Sequence, residues 1–255
     1  MHTTPGPTYV HSSPWPACTS DAFFVRAQAR AEDHVRSLLL ITPPMVQFNT
    51  AYPAVPALAG FLQSHGYQVV QADLSLDLAL RLFSPGGVRE IARALGRRFS
   101  PRRGPRAVRH LLAHHRTIAA ALPQVVRLLQ GTPMDDDALA VFDELPRGSR
   151  FAAMHGLWTD DDPLARARHH ASLFLDEIAD AVREGLDPRF ELARYAEHLA
   201  SAGDYPTLAK ELQRRPTLID RWIDEQAETA WRLHRPALVG FSVPFVRFIL
   251  FVFFL

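Results

Sequence analysis

Cysteine is all but missing from this chain of 255 residues, where Cys18 stands alone. One thiol excludes a disulfide framework. It also excludes any cysteine-only zinc or iron–sulfur site built by a single copy, because those need three or four thiolates. This usage reads as cytoplasmic. Lysine is equally scarce: Lys210 is the only one among 28 basic residues, and the rest are arginine. So uniform a bias fits a GC-rich coding sequence and is by itself no evidence for a nucleic-acid partner. Glycine is modest, at 13 against 20 prolines. Without a Gly-X-Y period this composition excludes collagen-like and coiled-coil rods and points to many short, capped elements. The N-terminus, MHTTPGPTYVHSSPWP, has neither a basic n-region nor an apolar h-region, so it does not read as a secretory signal. Residues 1–35 read as a partly disordered leader.

What is present is ordinary for a globular chain, with 47% hydrophobic and 22% charged residues. The run Leu38–Ile41, stopped by Thr42, Pro43 and Pro44, predicts a strand buried on both faces. The segment AVPALAGFLQSHGY then predicts a helix with Leu58, Phe61, Leu62 and His65 at helical spacing, closed by Gly66 as a left-handed cap. Tyr67–Ala72 predicts a second strand ending at Asp73. Strand, helix and strand in so short a span form a βαβ unit with parallel strands and a right-handed crossover.

From Leu74 to Arg235 the periodicity is helical and strand signals are missing. Asp162 before Pro163 predicts an N-cap and first turn for a helix carrying Leu164, Ala167, Ala171, Phe174, Ile178 and Val182, ending at Gly185. Asp187-Pro188 repeats the start signal for a helix through Leu192, Tyr195, Ala196 and Leu199. Thr217 with Asp220 opens another through Ile219, Trp222, Ile223, Ala230 and Leu233. After Pro236, Ala237–Ser242 predicts a third buried strand. The expected fold class is therefore α/β: an incomplete parallel Rossmann-like sheet of about three strands with a large helical insertion. Its expected parts are an α/β domain of residues 36–74 and 236–255 and a helical insert of residues 75–235, which should form its own subdomain.

The stretch LLLITPPMVQFNTAYPAVPALAGFLQSHGYQVVQADLSL resembles the opening of the cobalamin-binding domain that precedes the catalytic barrel in cobalamin-dependent radical S-adenosylmethionine (SAM) proteins. RPALVGFSVPF resembles that domain's third strand, and PRFELARYAEHLAS the helical insert of one subgroup. The resemblance implies cobalamin as the cofactor. In the full-length family it also implies a 4Fe-4S cluster and S-adenosylmethionine, used for radical chemistry that often transfers a methyl group. The family holds its cluster on a CxxxCxxC loop, which this chain lacks, so neither the cluster nor S-adenosylmethionine is expected here, and the fragment is expected to be inactive. The Asp-x-His-x-x-Gly motif that supplies a lower axial histidine in related domains is also absent. The family's catalytic domain would be the natural packing partner, and no specific nucleic-acid or membrane partner is expected.

In open parallel sheets, ligands sit beyond the carboxyl ends of the strands near a topological switch point. That rule, together with the resemblance, makes Thr42, Pro43, Pro44, Asp73 and Ser242 the candidate cofactor-binding residues. Thr42 and Ser242 could instead satisfy loop backbone groups, and Asp73 could cap the following helix. His110, His114 and His115 contain an i,i+4 pair that could ligate a metal, but no glutamate lies between them as in HExxH, and a solvated helix face is expected. His169 and His170 fall within the Asp162 helix and read the same way. Asp135–Asp137 and Asp160–Asp162 lack EF-hand spacing and read as helix N-terminal charge.

Two rival functions rest on charge and on the ending. Residues 89–116 hold nine arginines against Glu90 alone, a local charge of +8 that leaves −7 elsewhere in a chain of net +1. Such a segment could grip the phosphates of a nucleic acid; Phe99 is its only aromatic residue able to stack a base. The run from Ala237 to Leu255 approaches the ~20 residues a membrane span needs. Pro244 and Arg247 argue against a tail anchor. VRFILFVFFL has no turn, cap or polar face, so the expected end is aggregation-prone. The sequence predicts a frameshift or premature stop after Phe245, with the remaining strands and a CxxxCxxC barrel encoded downstream in another frame. It also predicts that anaerobic reconstitution with iron and sulfide leaves the protein without a stoichiometric four-iron cluster and unable to cleave S-adenosylmethionine. Full cluster occupancy per monomer would show the expectation to be wrong.

Overall fold

A computed structural model describes residues 37–44, 52–154, 162–192 and 213–242. It is a mixed α/β structure of three parallel strands in one open sheet and eight helices. The elements run β1 (Ser37–Thr42), α1 (Ala54–Ser64), β2 (Gln68–Asp73), α2 (Leu74–Leu82), α3 (Pro85–Gly96), α4 (Arg106–Leu129) and α5 (Asp136–Ala140). After a 3-10 turn at Val141–Glu144 come α6 (Ser149–Met154), α7 (Pro163–Gly185), α8 (Leu218–His234) and β3 (Leu238–Phe241). The strand order is β2-β1-β3, with both pairings parallel. All three strands fall within a residue or so of the expected bounds. The leader, the start of the Pro-rich loop and residues 243–255 lie outside the described residues.

β1 is the central strand and is buried on both faces. Side chains alternate across a strand, so Leu39 and Ile41 join Leu74 on one face while Leu40 packs with Val55 and Ala59 on the other. Helix α1 covers the second face. Of Leu58, Phe61, Leu62 and His65, only Leu62 packs toward the sheet, with Val55 and Ala59; Leu58 is 47% and Phe61 55% exposed, and His65 is exposed with them. Both sets have helical spacing. The set chosen carries the smaller side chains, which let the helix approach the pleated sheet closely. The end of α1 is as expected. Gly66 takes φ +82°, its amide donates to the Gln63 carbonyl, and the Tyr67 amide reaches back to Leu62, the two bonds of a Schellman motif.

Between β2 and β3 the only β interaction among the described residues is an isolated bridge between Ser100 and Arg103. The helices here surround α7, which is buried nearly all round. Asp162 caps α7 by accepting from the Leu164 amide, and Pro163 stands in the first turn. Asp135 likewise caps α5 through the Ala138 amide, so the first acidic triplet is helix N-terminal charge. Residues 188–192 form no helix. The Asp187 carboxylate and carbonyl hold Arg189 and Phe190 in a turn, and residues 193–212, including Tyr195 and Leu199 of the expected helix, lie outside the described residues.

Thr217 and Asp220 make the expected reciprocal capping box at α8. Asp187, nearly fully buried, accepts from the Thr217 hydroxyl and from Arg214. The end of the α7 turn is thereby fastened to the start of α8.

The first turn of α3 approaches the backbone of α2 so closely that a Cβ at Gly87 would lie 1.9 Å from the Arg81 carbonyl oxygen, whereas at Gly86 the nearest atom is the Ser84 hydroxyl at 3.7 Å. Gly87→Ala is expected to cost at least the ~1–3 kcal/mol of an overpacked site. Gly86→Ala should instead stay within about 1 kcal/mol of the parent or gain stability. Thermal unfolding of the two variants measures the contrast, and equal melting temperatures would contradict the close approach.

Candidate functional site

The strand register brings three of the expected residues to one edge. Thr42 lies opposite Asp73 across the β1–β2 pair, and on the other side the Ser242 amide donates to the Ile41 carbonyl at 3.0 Å. Asp73, Thr42 and Ser242 thus form a row at the carboxyl edge of the sheet. Pro43 and Pro44 follow Thr42 and are buried with it. The chain runs from β1 to β2 on one side and returns to β3 on the other, so the switch point falls between β1 and β3, where this class of sheet opens a crevice.

The side chains along this row are acceptors and hydroxyls. Asp73 ends β2 and at once caps α2, its Oδ1 accepting from the Leu76 amide at 2.9 Å. One turn on, Asp77 was not singled out by the sequence. Partial burial, and then the neighbouring Asp73 carboxylate, push its pKa up from the usual aspartate value. The i,i+4 spacing of two aspartates across a strand end is the signal that could have found it. Thr42 is 4% exposed, so it meets only what enters from the edge. No histidine lies on the row. His65 sits at the C-terminal end of α1, beside the start of β2 and the opposite edge of the sheet.

Of the α4 histidines expected on a solvated face, His114 is exposed and His115 half-buried, whereas His110 departs from the expectation. His110 is turned inward, its side chain 16% exposed, with Nε2 3.5 Å from Glu177 of α7 and its ring bonded to the Pro146 carbonyl. The His114 ring meets it at a tilt of 45°, with centroids 4.9 Å apart. Glu177 takes backbone amides from Gly148 and Arg150 at 2.9 and 3.0 Å, so this carboxylate caps α6 from a neighbouring helix. A Cβ at Gly148 would fall 2.6 Å from it. Asp180, one turn further on, receives Arg150 through two nitrogens and Arg183 through one. The hollow beside His110 and Glu177 has no room for a water molecule. The cluster is a structural clasp. No group of three or more histidine, cysteine or acidic side chains among the described residues is placed to hold a metal ion.

Phe99, the one aromatic residue among the basic-stretch arginines, packs against the helical core under Gly104 and carries the Arg98 guanidinium 5.5 Å above its ring. No described helix is long and apolar enough to cross a membrane, and the apolar ending lies outside the described residues.

The fold and row define an open parallel sheet with helices inserted between β2 and β3 and a β1/β3 switch point at its carboxyl edge. Compared with known proteins, the chain matches no family model, no curated protein and no solved structure.

Burial pushes the His110 pKa below the ordinary imidazole value, with His114 adding to the effect. The unfolded chain therefore binds the proton more readily. Stability is full above the ordinary histidine range and is lost as pH falls through the lowered value. Burial pushes Glu177 the other way, above the usual glutamate value, so its contribution is largest in acid and falls as pH rises. His110→Asn is expected to flatten the loss of melting temperature between about pH 6.5 and 5. An unchanged slope would remove His110 as a cause of acid sensitivity.

Proposed function

We propose that this chain is a cobalamin-binding α/β domain of the radical-SAM type, without catalytic activity of its own. The observation that carries the reading is the row Asp73–Thr42–Ser242 at the carboxyl edge of a parallel sheet ordered β2-β1-β3. That order opens one of the two common doubly wound folds, whose ligands bind at the β1/β3 switch point. The resemblance of residues 38–76 to a cobalamin domain supports the same assignment.

The chemistry of the row fits a corrinoid at its periphery. A corrin ring is fringed with amide N–H donors, and the row presents the Asp73 and Asp77 carboxylates and the Thr42 and Ser242 hydroxyls as acceptors. Among the described residues it presents no axial nitrogen. Thr42, Pro43 and Pro44 would support the ring edge from β1, and Ser242 and Asp73 would orient its amides from either side. Cobalamin bound in such a domain supplies a carrier for a methyl group. This chain's residues hold and orient it, and the buried prolines exclude water from the inner edge. Cys18, the only thiol, cannot by itself hold a four-iron cluster, so radical generation in this reading requires a CxxxCxxC loop outside these 255 residues. We place the protein in the cytoplasm on its thiol usage.

Three strands supply only part of a rim, so aquocobalamin is expected to bind weakly in a titration followed by its visible spectrum, and Asp73→Ala or Ser242→Ala should weaken it further while the circular dichroism stays unchanged. Tight, saturable binding lost in these variants would show the site to be complete in this chain. Absence of any spectral change at saturating cofactor would overturn the reading.

A further inference from the structure

Helices α3 and α4 pack side by side with a groove of about 380 Å³ between them, lined by Pro85, Arg89, His115, Arg116, Ala119, Ala120 and Pro123. We propose that this groove binds a small organic phosphate, with Arg89 and Arg116 gripping the phosphate and the alanine–proline floor taking its apolar body. The proposal is independent of the cobalamin reading, since the groove lies on the helical insertion.

The first support is charge without a partner. All nine arginines of residues 89–116 are exposed, and none makes an ion pair with an acid among the described residues. The one acid of the stretch is turned away. Glu90 accepts from the Trp222 indole at 2.9 Å and from Arg81 at 3.4 Å, on the side of α3 that meets α2 and α8. Ion-paired arginines elsewhere are mostly half-buried, as Arg81 with Glu225 and Arg150 with Asp180, and among the described exposed arginines outside the stretch only Arg232, with Glu228, makes an ion pair. What distinguishes α3 and α4 is their composition, since Glu90 is the one acid on the two helices.

The second support is convergence. Most of the nine arginines point to open solvent, where a guanidinium gains little from one anion. Arg89 and Arg116 instead come from different helices onto one hollow. His115 lies beside them, its Nδ1 bonded to the Leu112 carbonyl, leaving Nε2 for a ligand. Two planar guanidinium forks on one concavity match the tetrahedral oxygens of a phosphate.

The third support is shape. The volume lies within the range of small-molecule sites, and the mixture of an apolar floor with a few converging polar groups is their usual lining. A nucleic-acid backbone needs a long charged track with aromatic platforms. The one candidate platform, Phe99, is packed against the core beneath Arg98.

The test titrates the full-length protein at physiological salt with inorganic phosphate and with adenosine 5′-monophosphate as the organic probe, read by calorimetry, alongside a twelve-nucleotide thymidine strand. The organic phosphate is expected to bind at least tenfold more tightly than inorganic phosphate, with a stoichiometry of one. Arg89→Ala and Arg116→Ala should each weaken it about tenfold or more, as loss of a charge-assisted bond does. The pair Arg102→Ala and Arg103→Ala, on the turn between the helices, should change it less than twofold. Equal losses in both sets would overturn the groove in favour of the general field of the basic stretch. Tighter binding of the thymidine strand, weakened evenly by any arginine loss, would overturn it in favour of a nucleic-acid surface. No heat with either phosphate would overturn it outright.

Discussion

The Trp222 indole carries a large share of the architecture because α8 serves two cores at once. Its first turns, Ile219, Trp222 and Ile223, are sunk in the helical body, while Ala227 and Ala230 further along lie against β1 and its neighbours. Trp222 is 1% exposed, donates to Glu90, and lies under the Arg81 guanidinium at 4.6 Å. Arg81 in turn pairs with Glu225 at 2.7 Å. One indole, one guanidinium and two carboxylates therefore join α2, α3 and α8. Burying this Trp N–H without Glu90 would leave a donor unpaired, so the network fixes the rotation of α8 about its axis. That rotation decides which residues of α8 reach the sheet.

A similar economy appears where the chain leaves the sheet. Asp73 is the last residue of β2 and the cap of α2, so no loop intervenes between strand and insertion. Leu74 belongs to the sheet cluster, whereas Leu78, Ala79 and Leu82 belong to the helical core. Both α2 on the way out and α8 on the way back are shared between the cores. A long insertion of this kind costs little in loop closure, because closure entropy grows only logarithmically with length. What it must keep is the register of β3 beside β1, and α8 ends directly before that strand.

The strands, their parallel sense and the caps at Gly66, Asp162 and Thr217 could be read from the chain because each rests on local chemistry: an unbroken apolar run, a residue tolerant of positive φ, a side-chain acceptor two or three residues before an amide. The buried face of α1 could not. Leu58 and Phe61 outweigh Val55 and Ala59 in hydrophobicity, and only the close approach of the sheet favours the smaller pair. Glu177 and Asp180 were equally hidden, since an acid on a long helix looks solvated until neighbouring helices bring amides and an arginine to it. His110 was misjudged for the same reason. The site row was legible as three strand ends. Asp77 was not, because its altered acidity depends on Asp73 being held nearby by the cap.

Charge is segregated by element, so the sheet edge and the α3–α4 groove differ in the sign they present. The sheet edge carries Asp73 and Asp77 with hydroxyls and no described arginine partner, so a phosphate approaching it would meet like charge. The α3–α4 groove carries Arg89 and Arg116 with its nearest acid, Glu90, committed to Trp222 and Arg81. The Trp222 network thus does more than pack α8. By drawing Glu90 to the inner side of α3, it leaves the outer side of that helix uniformly cationic, and the charge of the groove follows from how the core is assembled.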